Sequence, residues 1–390
     1  MAIRRLAKTA IAAGLRWTGA NHVIETINAT KHIPLVIGYH SVVEDVRSQQ
    51  GRAILPNLVS VRMLERQLDW LGQHFRFLTL DELGERIDNG DPFDEPLAAI
   101  TFDDGYAGVY HHALPLLQRK GIPAGMFVVT DMVGRRHLQI YDKLYLLLTR
   151  ALIAMRHSPE RLAALCDSHD VPVSRVGHLQ RVVQDPYATM RWFFTSLTQK
   201  QLRRVIDALE TVVQVRDEDY PELHSLTWEM VERMDRAGMT IGSHTQTHAL
   251  LTLENPRRMA NQIVGSLLML QDRLGKPVEH FAYPDGRFNP SVVACVAESG
   301  YRFAYTTCLH RDARYPSLTI PRKLLWENSS LDPFDGFSQI LMHCHAHWIF
   351  DLFHRCRQNH ADPRKPASWS LSSRLPRRQE PVASFTSSLI

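Results

Sequence analysis

The segment Leu97-Ala-Ala-Ile-Thr-Phe-Asp-Asp-Gly105 decides the fold, because it joins a short apolar run to two adjacent carboxylates and a glycine. An apolar run of this length is typical of a strand buried in a parallel sheet. Successive side chains at a strand end face different directions, so one of Asp103 and Asp104 can ligate a metal while the other stays free as a base. A pair of turn or helix-capping aspartates is the alternative.

Short apolar runs alternate with helical patterns along most of the chain, which is typical of βα units around a largely parallel sheet. Helix signals separate the runs: Thr79 with Glu82 forms a capping box, and Thr227 precedes a helix that we expect to end near Gly238. The pattern predicts an α/β fold, a barrel-like domain over residues 31–350. The seven predicted strands are 35–40, 75–80, 97–102, 125–130, 239–244, 279–284 and 303–307.

Residues 135–224 interrupt this alternation with helical stretches alone. We interpret them as a helical insertion between two barrel strands. A lid over the site, a surface for a partner and a structural elaboration are all consistent with such a segment.

Residues 1–30 predict an N-terminal amphipathic helix. Lys8 and Arg16 interrupt its apolar run and no clear cleavage site follows, which disfavours a signal peptide. The helix either packs on its own domain or makes a peripheral membrane contact through residues 1–26. The residues that can share its apolar face are Ile3, Leu6, Ala10, Ile11 and Leu15.

Composition and charge argue against a nucleic acid-binding protein and against a disulfide-rich protein. Of the 390 residues 44% are hydrophobic and 22% charged, as in globular proteins, and a net charge of +4 is too diffuse to indicate nucleic acid binding. The five cysteines are odd in number and lack CxxC spacing, which favours a reducing compartment without a disulfide framework. Residues 357–390 lack periodicity and predict a disordered basic tail.

Two histidines four residues apart follow another apolar run, in Ser243-His-Thr-Gln-Thr-His248. At this spacing His244 and His248 project from the same side and can share one ion, although a polar structural role is the alternative. His40 and the turn at Pro284-Asp-Gly286 also follow apolar runs. Because catalytic groups of a (β/α) barrel lie at the carboxyl ends of its strands, these segments are expected to converge on one rim.

The motifs Thr-Phe-Asp-Asp-Gly, Ser-His-Thr-x-x-His and Phe-Ala-Tyr-Pro-x-Gly, in this order, resemble those of the polysaccharide deacetylases, the NodB homology or carbohydrate esterase family 4 domain. The opening Leu35-Val-Ile-Gly-Tyr-His-Ser-Val42 and Phe77-Leu-Thr-Leu-Asp-Glu-Leu83 are similar to the first strands of that family. The resemblance covers most of residues 33–130 and 225–308.

The resemblance implies a deformed (β/α) barrel with a divalent metal, usually zinc, that hydrolyses the N-acetyl group of an N-acetylglucosamine unit. By position, Asp103 corresponds to the general base, and Asp104, His244 and His248 to the metal ligands. An open site with one carboxylate and two imidazoles leaves room for water and the substrate carbonyl. The backbone N–H of Asp285 corresponds to the oxyanion donor, and the expected substrate-binding residues are Tyr283, Asp285 and Arg287.

In the family a histidine near the last strand protonates the leaving amine. Ile340-Leu-Met-His343 is similar to the terminal Leu-x-His motif, so His343 is the positional candidate and His345 the second, with neither as a third outcome. A second metal site in the His343, Cys344, His345 and His347 cluster is disfavoured, because neighbouring residues on a strand face opposite sides.

The third and fourth motifs depart from the family pattern. Ala282 stands where many members have an arginine that orients the base, and Arg287 follows the turn as a conceivable substitute. Trp326-Glu327 lies in the region of the aspartate-and-tryptophan motif, where a buried tryptophan is the simpler role.

The sequence therefore predicts a metal-dependent N-deacetylase of an N-acetylated glycan, active in the synthesis of a cell-surface polysaccharide or glycoconjugate. The alternatives are another metal amidohydrolase, an O-acetyl esterase, or a catalytically weakened glycan-binding barrel; retention of Asp103 favours an enzyme. The expected location is cytoplasmic or peripheral at the inner face of the membrane, with an extracytoplasmic site as the alternative.

Overall fold

A computed structural model describes residues 34–173 and 176–353, together with Cys356, Gln358 and His360. In the N-terminal segment it describes Leu6, Lys8, Thr9, Ala10, Ala12, Gly14 and Trp17. Most of the predicted tail, and several apolar residues of the predicted N-terminal helix, lie outside the described residues.

Seven parallel strands close into a barrel, as predicted. In order around the barrel they are β1 (Leu35–Tyr39), β5 (Leu97–Phe102), β6 (Ala124–Val128), β7 (Thr240–Ser243), β8 (His280–Ala282), β9 (Phe303–Thr306) and β10 (Ile320–Leu324), which returns to β1. The edge strand β4 (Arg76–Phe77) pairs with the start of β5. A separate parallel pair, β2 (Ser41–Val43) and β3 (Leu58–Ser60), follows β1 in the chain and lies outside the barrel sheet.

Helices surround the barrel and form the insertion. Those of the barrel are α1 (Val61–His74), α2 (Leu80–Asn89), α3 (Leu114–Lys120), α9 (Trp228–Arg236), α10 (Pro256–Leu274), α11 (Pro290–Glu298) and α12 (Gln339–Ala346). Between β6 and β7 lie α4 (Ile140–Ala154), α5 (Pro159–Asp167), α6 (Val176–Val182), α7 (Pro186–Ser196) and α8 (Gln199–Glu210).

The five helices α4–α8 bury their own apolar side chains, including Leu147, Leu162, Phe193 and Val205, none of which is exposed to solvent. The apolar cluster of these helices also includes Tyr106 and Leu250 from barrel loops. The helices between β6 and β7 are therefore anchored to the rim of the barrel by shared apolar contacts.

The strand register places several loops at one level. Tyr39 pairs with Phe102 and Val128 with Ser243, so the residues after β1, β5 and β7 leave the barrel at the same rim. Backbone hydrogen bonds extend these pairings by one residue, from Asp103 N to Tyr39 O and from His244 N to Val128 O, each 2.9 Å.

Two of the strand predictions need correction: one strand is shorter than expected, and another was not predicted. The strand predicted over residues 75–80 is only two residues long, because Thr79 caps α2 by accepting a hydrogen bond from Glu82 N and the chain turns helical at Leu80. The barrel instead takes its seventh strand from β10, which the sequence did not reveal because proline, arginine and lysine interrupt its apolar pattern.

The described residues of the N-terminal segment are helical. Ala12 is buried against Leu341, Cys344 and Ile349, whereas Trp17 is exposed. The segment thus contacts the domain near α12, and membrane contact through residues 1–26 stays a prediction. Within the described part of the chain, no helix combines the length and apolar character needed to cross a membrane.

Candidate active site

Asp104, His244 and His248 come together at the carboxyl rim of the barrel. Asp104 Oδ1 lies 3.5 Å from His244 Nε2 and 3.3 Å from His248 Nε2. The three ligand atoms lie within 4.8 Å of one another and all three residues are buried. The sequence-predicted ligand set is thereby assembled from the loops after β5 and β7.

The donor set fits a divalent metal. Asp104 Oδ1 is buried without a hydrogen-bond partner among the described residues, which is costly unless a cation satisfies it. His244 Nδ1 lies 2.7 Å from the carbonyl oxygen of Ala282, so Nδ1 carries the proton and the Nε2 lone pair faces Asp104. Two imidazoles and one carboxylate leave coordination positions open, as in catalytic zinc sites.

Burial sets the ionisation of these groups. It raises the pKa of Asp104 to about 6, with nearby His40 opposing the shift. It lowers the pKa of both His244 and His248, so both imidazoles are held in the neutral form that binds metal.

The loops reach this geometry through left-handed backbone conformations. The φ angles of Asp104, Thr245 and His248 are 71°, 69° and 57°. Non-glycine residues rarely adopt this region, and such strain concentrates at functional sites. Gly105, at φ 78°, continues the turn after Asp104.

Arg322 forms a buried bidentate ion pair with Asp103. The distances are 2.8 Å from Nη1 to Oδ1 and 2.7 Å from Nη2 to Oδ2. Burial alone would raise the pKa of Asp103, but the charge and hydrogen bonds of Arg322, aided by His244, outweigh it and lower the pKa to about 2. The candidate base is thus held ionised and in a fixed plane.

Sequence reasoning missed Arg322. It considered Arg287 as a substitute for the arginine absent at Ala282, but Arg287 Nε donates to Asp285 at 2.8 Å. The arginine that contacts Asp103 comes from β10, the strand that the apolar pattern did not reveal. A charged residue inside a short β-compatible run was the one available signal.

Helices between β6 and β7 form a wall of the site. The ring of Phe194 stacks on His248 at 5.6 Å between centroids, and Tyr141 meets the same imidazole edge-on at 4.9 Å. These rings, with Met190 and Arg191, line a cavity of about 350 Å³ that also contains Asp103 and Asp104. This volume suits a sugar-sized ligand.

Behind this wall lies a buried polar chain. The hydroxyl of Tyr106 donates to Asp142 Oδ2 at 2.6 Å and lies 2.8 Å from the hydroxyl of Tyr141. Burial raises the pKa of Asp142 to about 8 despite the hydrogen bond from Tyr106. These hydrogen bonds connect the wall to the loop after β5.

The predicted substrate-binding residues have other partners as well. Asp285 accepts two hydrogen bonds from Arg191, at 2.8 and 3.1 Å, and one from Arg287, so its carboxylate is neutralised. Asp285 lines the cavity. Tyr283 also lines the cavity, but its hydroxyl donates to the carbonyl oxygen of Leu318 and its side chain is fully buried.

The predicted proton donor does not join the cluster. His343 is on α12, where its ring contacts Trp70 and His347, and it is not among the described residues that line the cavity. His345 is buried on the same helix beside Phe350.

His40 does line the cavity, with Nε2 3.9 Å from Asp104 Oδ2. Half-buried Trp326 also lines it, and Glu327 accepts a hydrogen bond from Ser60 N.

Comparison with known proteins gives the family. The polysaccharide deacetylase family model matches residues 90–304, more than half of the chain. The chain belongs to the polysaccharide deacetylase family. The match begins before β5 and ends within β9, so it contains Asp103, Asp104, His244 and His248.

Curated relatives match this chain over part of their length. A Bacillus subtilis protein, YxkH, whose name assigns it to the polysaccharide deacetylases, is 27% identical over 273 residues, covering 70% of this chain and 63% of YxkH. A poly-beta-1,6-N-acetyl-D-glucosamine N-deacetylase of Staphylococcus aureus is 35% identical over 85 residues, covering 22% of this chain and 29% of its own. The chain thus matches less than two thirds of either relative.

Solved structures are similar at low sequence identity. IcaB from Ammonifex degensii is 19% identical with a TM-score of 0.49, covering 81% of this chain and 99% of its own. The Streptococcus pyogenes deacetylase PplD, in complex with acetate, is 17% identical with a TM-score of 0.48, covering 78% and 95%.

Proposed function

We propose that this deacetylase is a metal-dependent hydrolase that removes N-acetyl groups from a polysaccharide or glycoconjugate of the N-acetylglucosamine type. The observation that carries the proposal is the buried Asp104, His244 and His248 cluster next to an ionised Asp103. The name of the S. aureus relative, which matches a short part of this chain, supports a β-1,6-linked N-acetylglucosamine polymer as the first substrate to test.

Asp104, His244 and His248 would hold the metal, for which Zn²⁺ is the first candidate because the ligands are two imidazoles and one carboxylate. When bound, a divalent ion supplies Lewis-acid polarisation of the amide carbonyl and lowers the pKa of water. The orphaned Oδ1 of Asp104 is the atom that most requires such an ion.

Asp103 acts as the general base in this proposal. One of its carboxylate oxygens accepts the proton of the attacking water while Arg322 keeps the carboxylate plane fixed. A new C–O bond forms at the acetyl carbon, and the C–N bond of the amide breaks to release acetate and the glycan amine.

The leaving amine must gain a proton. His40 is the one histidine among the described cavity residues that is not in the ligand cluster, and its Nε2 faces the same space as Asp104. We therefore assign the proton transfer to His40 Nε2 and not to His343, whose ring packs against Trp70.

The substrate enters beside the helical wall. Arg191, Asp285 and Trp326 all line the cavity, so a sugar unit would meet an aromatic side chain and the Arg191–Asp285 ion pair. We propose that the wall from α4 and α7 limits the cavity and excludes water. The cellular location is still a prediction: cytoplasmic or peripheral at the inner face of the membrane, with an extracytoplasmic site as the alternative.

Release of acetate from β-1,6-linked N-acetylglucosamine oligomers, with chito-oligosaccharides beside them, tests the proposal. We expect release that stops on chelation and returns when Zn²⁺ is added. An O-acetylated glycan separates the esterase alternative, since an O-acetyl esterase would leave the N-acetyl oligomers intact. Binding of the oligomers without any acetate release, in metal-loaded protein, would instead favour a glycan-binding barrel.

A further inference from the structure

A second cluster of metal-ligating side chains lies outside the catalytic cavity, at the end of the described chain. Cys308 Sγ lies 3.5 Å and Cys356 Sγ 3.2 Å from His360 Nε2. The three ligand atoms lie within 4.8 Å of one another. Cys308 and His360 are 52 residues apart in the sequence, so the fold and not a local motif brings them together.

The imidazole of His360 is oriented for metal binding. Its Nδ1 lies 3.3 Å from the carbonyl oxygen of Phe288, an acceptor, so Nδ1 carries the proton. The unprotonated Nε2 therefore faces the two sulfur atoms. A backbone carbonyl that fixes the tautomer in this way is the usual outer contact of a metal-bound histidine.

Aromatic contacts hold the ring in place. The ring of His360 stacks on His310 at 4.2 Å and 5° and lies 4.5 Å from the ring of Phe288.

We propose that Cys308, Cys356 and His360 bind a zinc ion that fastens the chain after α12 onto the barrel. Two thiolates and one imidazole are soft ligands that select zinc over magnesium or calcium. His310, two residues after Cys308, stacks on His360 but is not among the three residues whose ligand atoms cluster, so we assign the fourth position to water.

When the second site binds a metal ion, the ion replaces protons on the two thiols. A cysteine thiol, with an ordinary pKa of about 8.5, is mostly protonated at neutral pH, so the metal must displace its proton. Binding of one divalent ion forms two metal–sulfur bonds and releases the two thiol protons to solvent. No change of oxidation state is required.

The position of the cluster gives the ion a structural task. Gln358, between the two ligands Cys356 and His360, donates to the carbonyl oxygen of Gly286 at 3.2 Å. Gly286 follows Asp285, which lines the catalytic cavity. A metal at the second site would therefore fix the loop that carries Asp285, and this inference does not depend on which acetylated substrate the enzyme uses.

Cobalt substitution distinguishes the two sites, because only the second has sulfur ligands. The full chain is purified under reducing conditions, freed of metal and loaded with Co²⁺. We expect a near-ultraviolet thiolate-to-cobalt charge-transfer absorption that is lost in Cys308→Ser and Cys356→Ser. It should persist in His248→Ala, and in Cys166→Ser as a matched thiol control, since Cys166 is buried in the insertion.

Zinc content gives an independent reading. Cys356→Ser should hold about one zinc ion fewer per chain than the wild type. The proposal is overturned if reduced, cobalt-loaded wild-type protein shows no such absorption, or if the absorption survives both serine variants. It is also overturned if protein kept under reducing conditions contains a Cys308–Cys356 disulfide, detected by intact mass and thiol titration.

Discussion

Arg322 holds Asp103 through two hydrogen bonds of 2.8 and 2.7 Å between side chains that are both buried. A guanidinium and a carboxylate paired in this way share one plane, which a lysine cannot reproduce. The pair joins β10 to the loop after β5 across the interior of the barrel. It both neutralises a buried charge and aims the candidate base.

Replacing Arg322 tests this pairing. Arg322→Lys should lower kcat/KM about 100-fold, since the carboxylate loses its fixed plane. The pKa of Asp103 should rise from about 2 as burial is less well opposed, so the acidic limb of the pH–rate profile should move to higher pH. Arg322→Gln removes the charge and should cost about 3–5 kcal/mol of folding free energy.

Arg287→Lys is the matched control, because Arg287 pairs with Asp285. It should leave the acidic limb in place. An unchanged acidic limb in Arg322→Lys, in protein that folds and binds metal, would show that Arg322 has only a structural role.

The two histidine candidates for proton donation give opposite expectations. His40→Gln should lower kcat about 100- to 10,000-fold while metal content stays the same, because the leaving amine loses its donor. His343→Gln should leave turnover unchanged, since His343 packs against Trp70. The reverse pattern would restore the donor predicted from sequence.

Adjacent phenylalanines of α7 separate packing from function. Phe193 and Phe194 are both buried, but the ring of Phe194 alone stacks on His248. Substitution of either by leucine should cost about 1 kcal/mol of stability. Phe194→Leu should in addition weaken metal binding about 10-fold, as loss of an outer contact of a ligand does. Equal metal affinity in the two variants, measured by competition with a chelator, would contradict the role of the wall.

Metal affinity should depend on pH through Asp104. Its metal-free pKa of about 6 lies above the ordinary value, so protons compete with the metal below about pH 6 and not above it. Burial lowers the pKa of His244 and His248, so at a given pH protons compete less for these two ligands than for free histidine. Affinity should fall about tenfold per pH unit below pH 6.

Titration of the Cys356→Ser protein with Zn²⁺ over a pH series measures metal binding at the Asp104, His244 and His248 site, because the variant lacks a ligand of the second site. A constant affinity between about pH 7 and pH 5 would mean that Asp104 is already ionised before metal binds.

The barrel could be predicted from the sequence because buried parallel strands need continuous apolar runs. Such runs form β1, β5, β6 and β9. The pairing of His244 with His248 followed from local spacing, and the addition of Asp104 to the ligand set followed from the resemblance to the polysaccharide deacetylases. In contrast, β10 contains Pro321, Arg322 and Lys323, and its burial becomes favourable only through the partner Asp103, 219 residues away. A partner at that separation leaves no periodic signal.

The donor role that we propose for His40 and the second cluster were not predicted from the sequence, for the same reason. The match of Leu-Met-His343 to a terminal motif is local, whereas the cavity is built from loops that only the closed barrel brings together. The wall likewise depends on how α7 lies against His248, which helix periodicity does not specify. Contacts between distant segments were therefore the part that sequence could not give.

The most direct test of the central claim measures acetate release and metal content in the same preparation of Asp103→Asn. The carboxamide of this variant keeps the size of the side chain but cannot accept the proton of the attacking water. We predict full occupancy of the Asp104, His244 and His248 site with acetate release lowered by at least about 100-fold. Wild-type acetate release from the metal-loaded variant would contradict the assignment of Asp103 as the base.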